Sequence, residues 1–140
     1  MNIKETIDFC ISSAIKLGRE VYNENLDFSD ESIQTVKEIL DGYHERYLHP
    51  ENDNGLIKNR VNTYAHVFGI YVGEVLIRKS GGSYAWKDTE YGIVLAKDEK
   101  NIINPVGKAS KQIVNGVEGG DDIKSFFDVA TAIIRGEFLS

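Results

Sequence analysis

The stretch Gly55 to Gly82, GLIKNRVNTYAHVFGIYVGEVLIRKSGG, constrains this chain more than any other segment. From Tyr64 to Ile77 it is apolar on nearly every helical face, and a helix that is hydrophobic all round must be wrapped by other protein. The spacing predicts one long third helix, starting near Leu56 and stopping at Ser80-Gly81-Gly82. One ionisable residue, Glu74, falls inside the apolar run. A carboxylate is therefore expected to be carried into a core or to its edge.

The flanking sequence predicts what wraps that helix. Ile3, Ile7, Cys10, Ile11, Ala14, Leu17 and Val21 recur at three- and four-residue spacings, which predicts a first helix over about Ile3 to Tyr22. Ser29 is a natural N-cap, with Asp30 and Glu31 favouring the dipole of a second helix. That helix carries Ile33, Val36, Leu40, Tyr43 and Tyr47 on one stripe and ends before Pro50. PENDNG follows as a turn; it lacks the spacing and closing Glu of an EF-hand loop. After Gly82 the period changes to alternation, predicting two or three short antiparallel strands through Tyr91, Ile93 and Leu95, with a return at Ile102-Ile103. Asn104-Pro105 opens a fourth helix, with Val106, Ala109 and Ile113 inward. Asp121 or Asp122 caps the last, whose apolar face comprises Ile123, Phe126, Phe127, Ala130, Ile133, Ile134 and Phe138. The order is three N-terminal helices, a small antiparallel sheet and two C-terminal helices: a single α+β domain over residues 1–140.

A chain of 140 residues can bury a hydrophobic core without staples. Its single cysteine, Cys10, excludes an internal disulfide and reads as a small buried hydrophobe. The N-terminus lacks the apolar run of a signal peptide, and no segment has the length and apolarity of a membrane span, so the expected location is cytoplasmic and away from the membrane. The net charge of −6 argues against nucleic acid as a partner, because phosphate neutralisation needs a basic face. An acidic surface suits solubility or a basic partner.

Standard catalytic patterns are missing. There is no H-E-x-x-H, nucleophile elbow, phosphate loop or dinucleotide fingerprint, and three scattered histidines make no zinc pattern. No cofactor or metal is expected. What remains is a polar constellation. Arg78 lies four residues after Glu74, the favourable order for an ion pair. Buried, such a pair roughly breaks even, while removing one partner costs about 3–5 kcal/mol. Lys108 and Lys111 sit in the early turns of the fourth helix, where the dipole favours anions, beside the Asn104 cap. Glu74, Arg78, Asn104, Lys108 and Lys111 could form one patch, with Trp86 as sheet packing or a ligand platform. Ala65, Gly69 and Gly73 recur every four residues; the register fits a tight helix crossing inside the domain, or alternatively a homodimer face.

The run Gly69-x-Tyr71-x-Gly73-Glu74-Val75, followed by Arg78, Gly81-Gly82 and Trp86, resembles small bacterial domains of unknown function. So does the later Asn104-Pro105 with Lys108, Lys111 and Asn115-Gly116, although Val106 stands where that pattern often has Phe. The resemblance covers roughly residues 65–135, implies an α+β fold and transfers no catalytic role. The first expectation is a non-enzymatic module binding a protein or small molecule. Two alternatives stand beside it: an immunity-type inhibitor of a basic toxin, and a small hydrolase or transferase using Glu74 as general base.

Overall fold

The all-round apolar helix is the centre of the structure, and every other element is placed by what it covers. The computed structural model describes residues 2–136. Helix α1 spans Ile3–Glu20, α2 Asp30–Leu48, α3 Leu56–Asn59, α4 Val61–Lys79, α5 Pro105–Asn115 and α6 Ile123–Ile134. Strands β1 (Ala85–Thr89), β2 (Gly92–Ala96) and β3 (Ile102–Ile103) form one antiparallel sheet in the order β1-β2-β3. Leu95 faces Ile103 across one pair, and Trp86 faces Leu95 across the other. The α+β class holds, with four helices rather than the expected three before the sheet and two after it.

Helix α4 buries Ala65, Val67 to Gly73, Val75 and Leu76. It packs most extensively on α5 and then on α1, with α6, α2 and β2 completing its surround. A ribbon of three short strands does not hold together alone; Leu95 and Ile103 turn its inner side into the core, and Val94 is buried on the opposite face. Caps fix the helix starts. Asn2, Ser29, Asn104 and Asp122 each accept a backbone amide from the first turn of the helix that follows. Cys10 is buried in α1, and desolvation pushes its thiol up, keeping it protonated. Phe138, placed by spacing on the apolar face of α6, lies outside the described residues.

One expected element divides. The single helix from Leu56 is broken at Arg60, whose φ of −132° and ψ of 30° are not helical. Asp53 holds the short first piece: it accepts from the Leu56 and Ile57 amides and from Arg46 Nε at 2.9 Å. Desolvation opposes ionisation of Asp53, but the Ile57 amide and the Arg46 guanidinium outweigh it and hold the carboxyl below its usual range. The longer piece takes its direction from the crossing with α5. The break falls among Asn59, Val61, Asn62 and Thr63, all poor helix formers. The PENDNG turn is thus a capping device that also anchors α2. Among the described residues no group of three or more His, Cys, Asp or Glu side chains could hold a metal ion, and no helix is long and apolar enough to cross a membrane.

Candidate functional site

The small-residue register on α4 is consumed inside the chain. A Cβ added at Gly69 would lie 2.6 Å from the Val106 Cα and 2.9 Å from its nitrogen, so α5 crosses there at backbone contact. A Cβ at Gly73 would collide with the Trp86 ring and come within 3.1 Å of Pro105 Cγ. At Gly69 and Gly73 the face is occupied by α5 and Trp86, as the tight crossing inside the domain requires.

Glu74 sits at the edge of the core, not within it: its side chain keeps 21% of its surface in solvent. Its main partner lies on β1. Trp86 Nε1 donates to Glu74 Oε2 at 3.2 Å, while Arg78 Nε stands 3.7 Å from Oε1. Arg78 is more than half exposed, and its guanidinium lies over the Phe28 ring, 3.6 Å from the centroid. Phe28 in turn stacks on Tyr71. The Tyr71 hydroxyl accepts from the Phe28 amide at 2.8 Å, which holds Phe28 at a φ of +66°. Ser32 gives its own hydroxyl proton to the Ser29 carbonyl at 2.6 Å, so Tyr71 donates to Ser32 Oγ at 2.7 Å. Tyr71, Glu74 and Arg78 thereby tie α4 to the α1–α2 connection and to β1.

The expected polar patch separates into two. Glu74, Arg78 and Trp86 come together. Asn104 is the α5 cap, its Oδ1 accepting from Gly107. Lys108 is neither solvated nor free for an anion: its Nζ pairs with Asp121 Oδ1 at 3.0 Å. The Asn115 amide bonds Asp121 as well, and with Lys108 it holds that carboxyl below its usual range. Lys111 is exposed. The Glu74 carboxylate faces the Trp86 indole and the Arg78 guanidinium.

The Glu74–Arg78 pair should therefore couple weakly. A long, half-exposed pair contributes under about 0.5 kcal/mol. In urea denaturation of Glu74→Gln, Arg78→Ala and the double variant, the coupling energy should stay below about 0.5 kcal/mol; coupling above about 2 kcal/mol would restore the buried-pair description.

The arrangement that sequence reasoning missed lies on α2. Tyr22, Glu24, Thr35, Glu38, Ile39, Gly42, Tyr43 and Arg46 enclose a cavity of about 320 Å³, at the small end of the range for ligand sites. Tyr43 is 1% exposed, with its ring against Tyr64 and Phe68. Its hydroxyl makes no hydrogen bond to any described group. Burial first, then the nearby Tyr22 hydroxyl, push the Tyr43 phenol far above its ordinary value, so it is neutral at any physiological pH. Tyr22 meets Tyr43 edge to face, with ring centroids 6.1 Å apart.

Gly42 is the second anomaly. It sits in the middle of α2, where glycine costs roughly 0.5–1 kcal/mol relative to alanine. A Cβ there would meet nothing within 4 Å, so packing does not require glycine. A second cavity, of about 350 Å³, opens on its other side between α2 and the Gly116–Glu118 turn. The legible signal was the glycine itself, isolated inside a helical pattern.

No protein-family model, curated protein or solved structure matches this chain. The likeness to small bacterial domains rests on the motif residues alone, and the contacts above give those residues packing roles: Gly69 and Gly73 admit α5 and Trp86, Tyr71 orders Phe28, and Glu74 holds the indole.

Proposed function

We propose that this protein is a non-enzymatic binding module whose recognition site is the α2 cavity. One observation carries the reading. A buried phenol without a partner in the chain costs about 1–3 kcal/mol, and Tyr43 carries one just beneath the lining of a concave, mostly apolar space. Natural sequences break local rules chiefly where function requires it. Two such breaks, the orphaned hydroxyl of Tyr43 and the glycine at 42, adjoin one another here.

The two have separable consequences. Tyr43→Phe removes the orphaned oxygen and is expected to stabilise the protein by about 1 kcal/mol in urea denaturation. Gly42→Phe projects a ring from an exposed helix position toward the cavity mouth and should block it without unfolding the chain. Screening a library of small fragments by protein amide chemical shifts should give hits that move Thr35, Gly42 and Tyr43. Those hits should fail on Gly42→Phe. Hits that bind Gly42→Phe as well as the native chain, or the absence of any hit at these amides, would refute the assignment.

A further inference from the structure

We infer that a basic amphipathic helix of a partner protein crosses α2 at Gly42, the cavity proposed above being one of two hollows that receive its side chains; the inference rests on that cavity as a binding site. Gly42 carries the argument, because it is the one glycine that the chain itself does not account for. Of the thirteen glycines, seven hold a positive φ that other residues rarely adopt. Five more have a heavy atom within 3.2 Å of where a Cβ would stand. Gly42 has neither feature: it lies inside α2, and a Cβ there meets nothing within 4 Å. Gly69 shows what a mid-helix glycine does in this fold, since it admits the backbone of α5. Gly42 offers the same bare backbone on an exposed face, and the element that uses it comes from outside the chain.

The surroundings define that element. Hollows of about 320 and 350 Å³ adjoin Gly42, one on each side. Tyr22 and Ile39 give the first its apolar wall, and the second is lined by Leu48 and Val117, both exposed. A helix laid across Gly42 places an apolar side chain in each, as ridges enter grooves. Along α2, Glu38 and Glu45 bracket the crossing point, four residues before it and three after, and so on the same face. Glu24 lines the first hollow and Glu118 the second. None of these four acids has an ion-pair partner among the described residues, and the one side-chain hydrogen bond to any of them is the 3.5 Å contact from Gln34 Nε2 to Glu38. The nearby cations are committed, Arg46 to Asp53 and Lys37 to Asp41. The partner helix therefore carries Lys or Arg beside its apolar residues. A second copy of this chain does not fit, because it would set these acids against their own counterparts. The carboxylates choose the sign of the partner; the bare backbone between two hollows makes the site.

The test is a titration of the full chain with capped peptides of about fifteen residues, followed by the amide shifts of Thr35, Gly42 and Val117. The first peptide has Leu and Ala on one helical face and Lys on its flanks. The second replaces every Lys with Glu, and the third keeps the lysines but carries a central Pro that breaks the helix. The first should bind, move amides in both hollows and weaken as salt rises. The second should be silent, and the third should bind at least about fivefold more weakly than the first. Gly42→Ala places a methyl at the crossing and should weaken the first peptide by about fivefold or more. Small fragments seated in the first hollow should still bind Gly42→Ala and fail only on Gly42→Phe. The double variant Glu38→Gln/Glu45→Gln changes only exposed side chains and should also weaken the first peptide by about fivefold or more. Equal affinity for the native chain and Gly42→Ala, or equal affinity of the helical and Pro-broken peptides, would overturn the helix crossing. Silence of all three peptides, with fragment hits at Thr35 and Gly42, would overturn the partner helix and leave the cavity as a small-molecule site; silence in both experiments would remove the cavity too.

Discussion

Gly69→Ala is expected to destabilise the protein by about 3 kcal/mol, the upper end for overpacking a close-packed interior. The added methyl would sit 2.6 Å from Val106 Cα, 2.9 Å from Val106 N and 3.0 Å from the Pro105 carbonyl oxygen. All three are backbone atoms at the start of α5, so no rotamer change relieves the clash. Either α5 moves away from α4 or the helices separate along their shared surface, which is the most extensive in the fold. The intrinsic gain of alanine over glycine in a helix, about 1 kcal/mol, acts in the opposite direction and is too small to offset this. Gly42→Ala supplies the control. It makes the same chemical change in mid-helix with nothing within 4 Å, and should stabilise by roughly 0.5–1 kcal/mol. Urea denaturation of both variants measures the contrast. A Gly69→Ala variant within about 0.5 kcal/mol of the native protein would mean that the α4–α5 crossing is looser than its geometry requires.

The two glycines also show how far the sequence could be read. Features decided within one helical turn were legible: the caps at Ser29, Asn104 and Asp122, the stripes of α1 and α2, and the switch to strand alternation after Gly82. The tight crossing was legible because three small residues at four-residue spacing report a close neighbour without naming it. What the sequence withheld depends on contacts between distant positions. The hydrogen-bond partner of Glu74 is Trp86, twelve residues on and across a turn, whereas helical spacing nominated Arg78. Lys108 finds Asp121 because the Asn115–Gly120 turn folds back on α5. The short helix before Arg60 is capped by Asp53 from the preceding turn, a contact that α3 alone does not show. The cavity was least accessible of all, since Tyr22 and Glu24 come from the α1–α2 connection and the other walls from α2. A space between elements leaves no periodic trace; only the out-of-place glycine marks it.

Gln112 poses the same difficulty in its sharpest form, and its replacement by leucine should destabilise by about 3 kcal/mol. Its side chain is fully buried on α5, at a position that spacing alone would fill with a hydrophobe. Nε2 donates to the Lys37 carbonyl at 3.1 Å and to Asp41 Oδ1 at 2.9 Å, both on α2. Oε1 accepts from the Ile123 amide at 2.7 Å. That amide opens α6, where first-turn N–H groups have no partner within their own helix. One amide group thus joins α2, α5 and α6, and leucine would strand the Ile123 N–H out of reach of water. Gln112→Glu separates hydrogen bonding from shape. The ionised carboxylate keeps the bond from Ile123 but faces the Asp41 carboxylate and the Lys37 carbonyl, acceptor against acceptor. Its folded pKa should therefore be raised. Below the ordinary glutamate value of about 4.3 the penalty is absent, and it grows as pH rises from there through the folded value. Relative to the native chain, Gln112→Glu should thus lose stability with rising pH, while Gln112→Leu should be impaired equally across that range. Denaturation midpoints at a series of pH values distinguish the two. If Gln112→Glu tracks the native protein at neutral pH, the amide's donor is not needed, and the junction of the three helices is held by apolar packing alone.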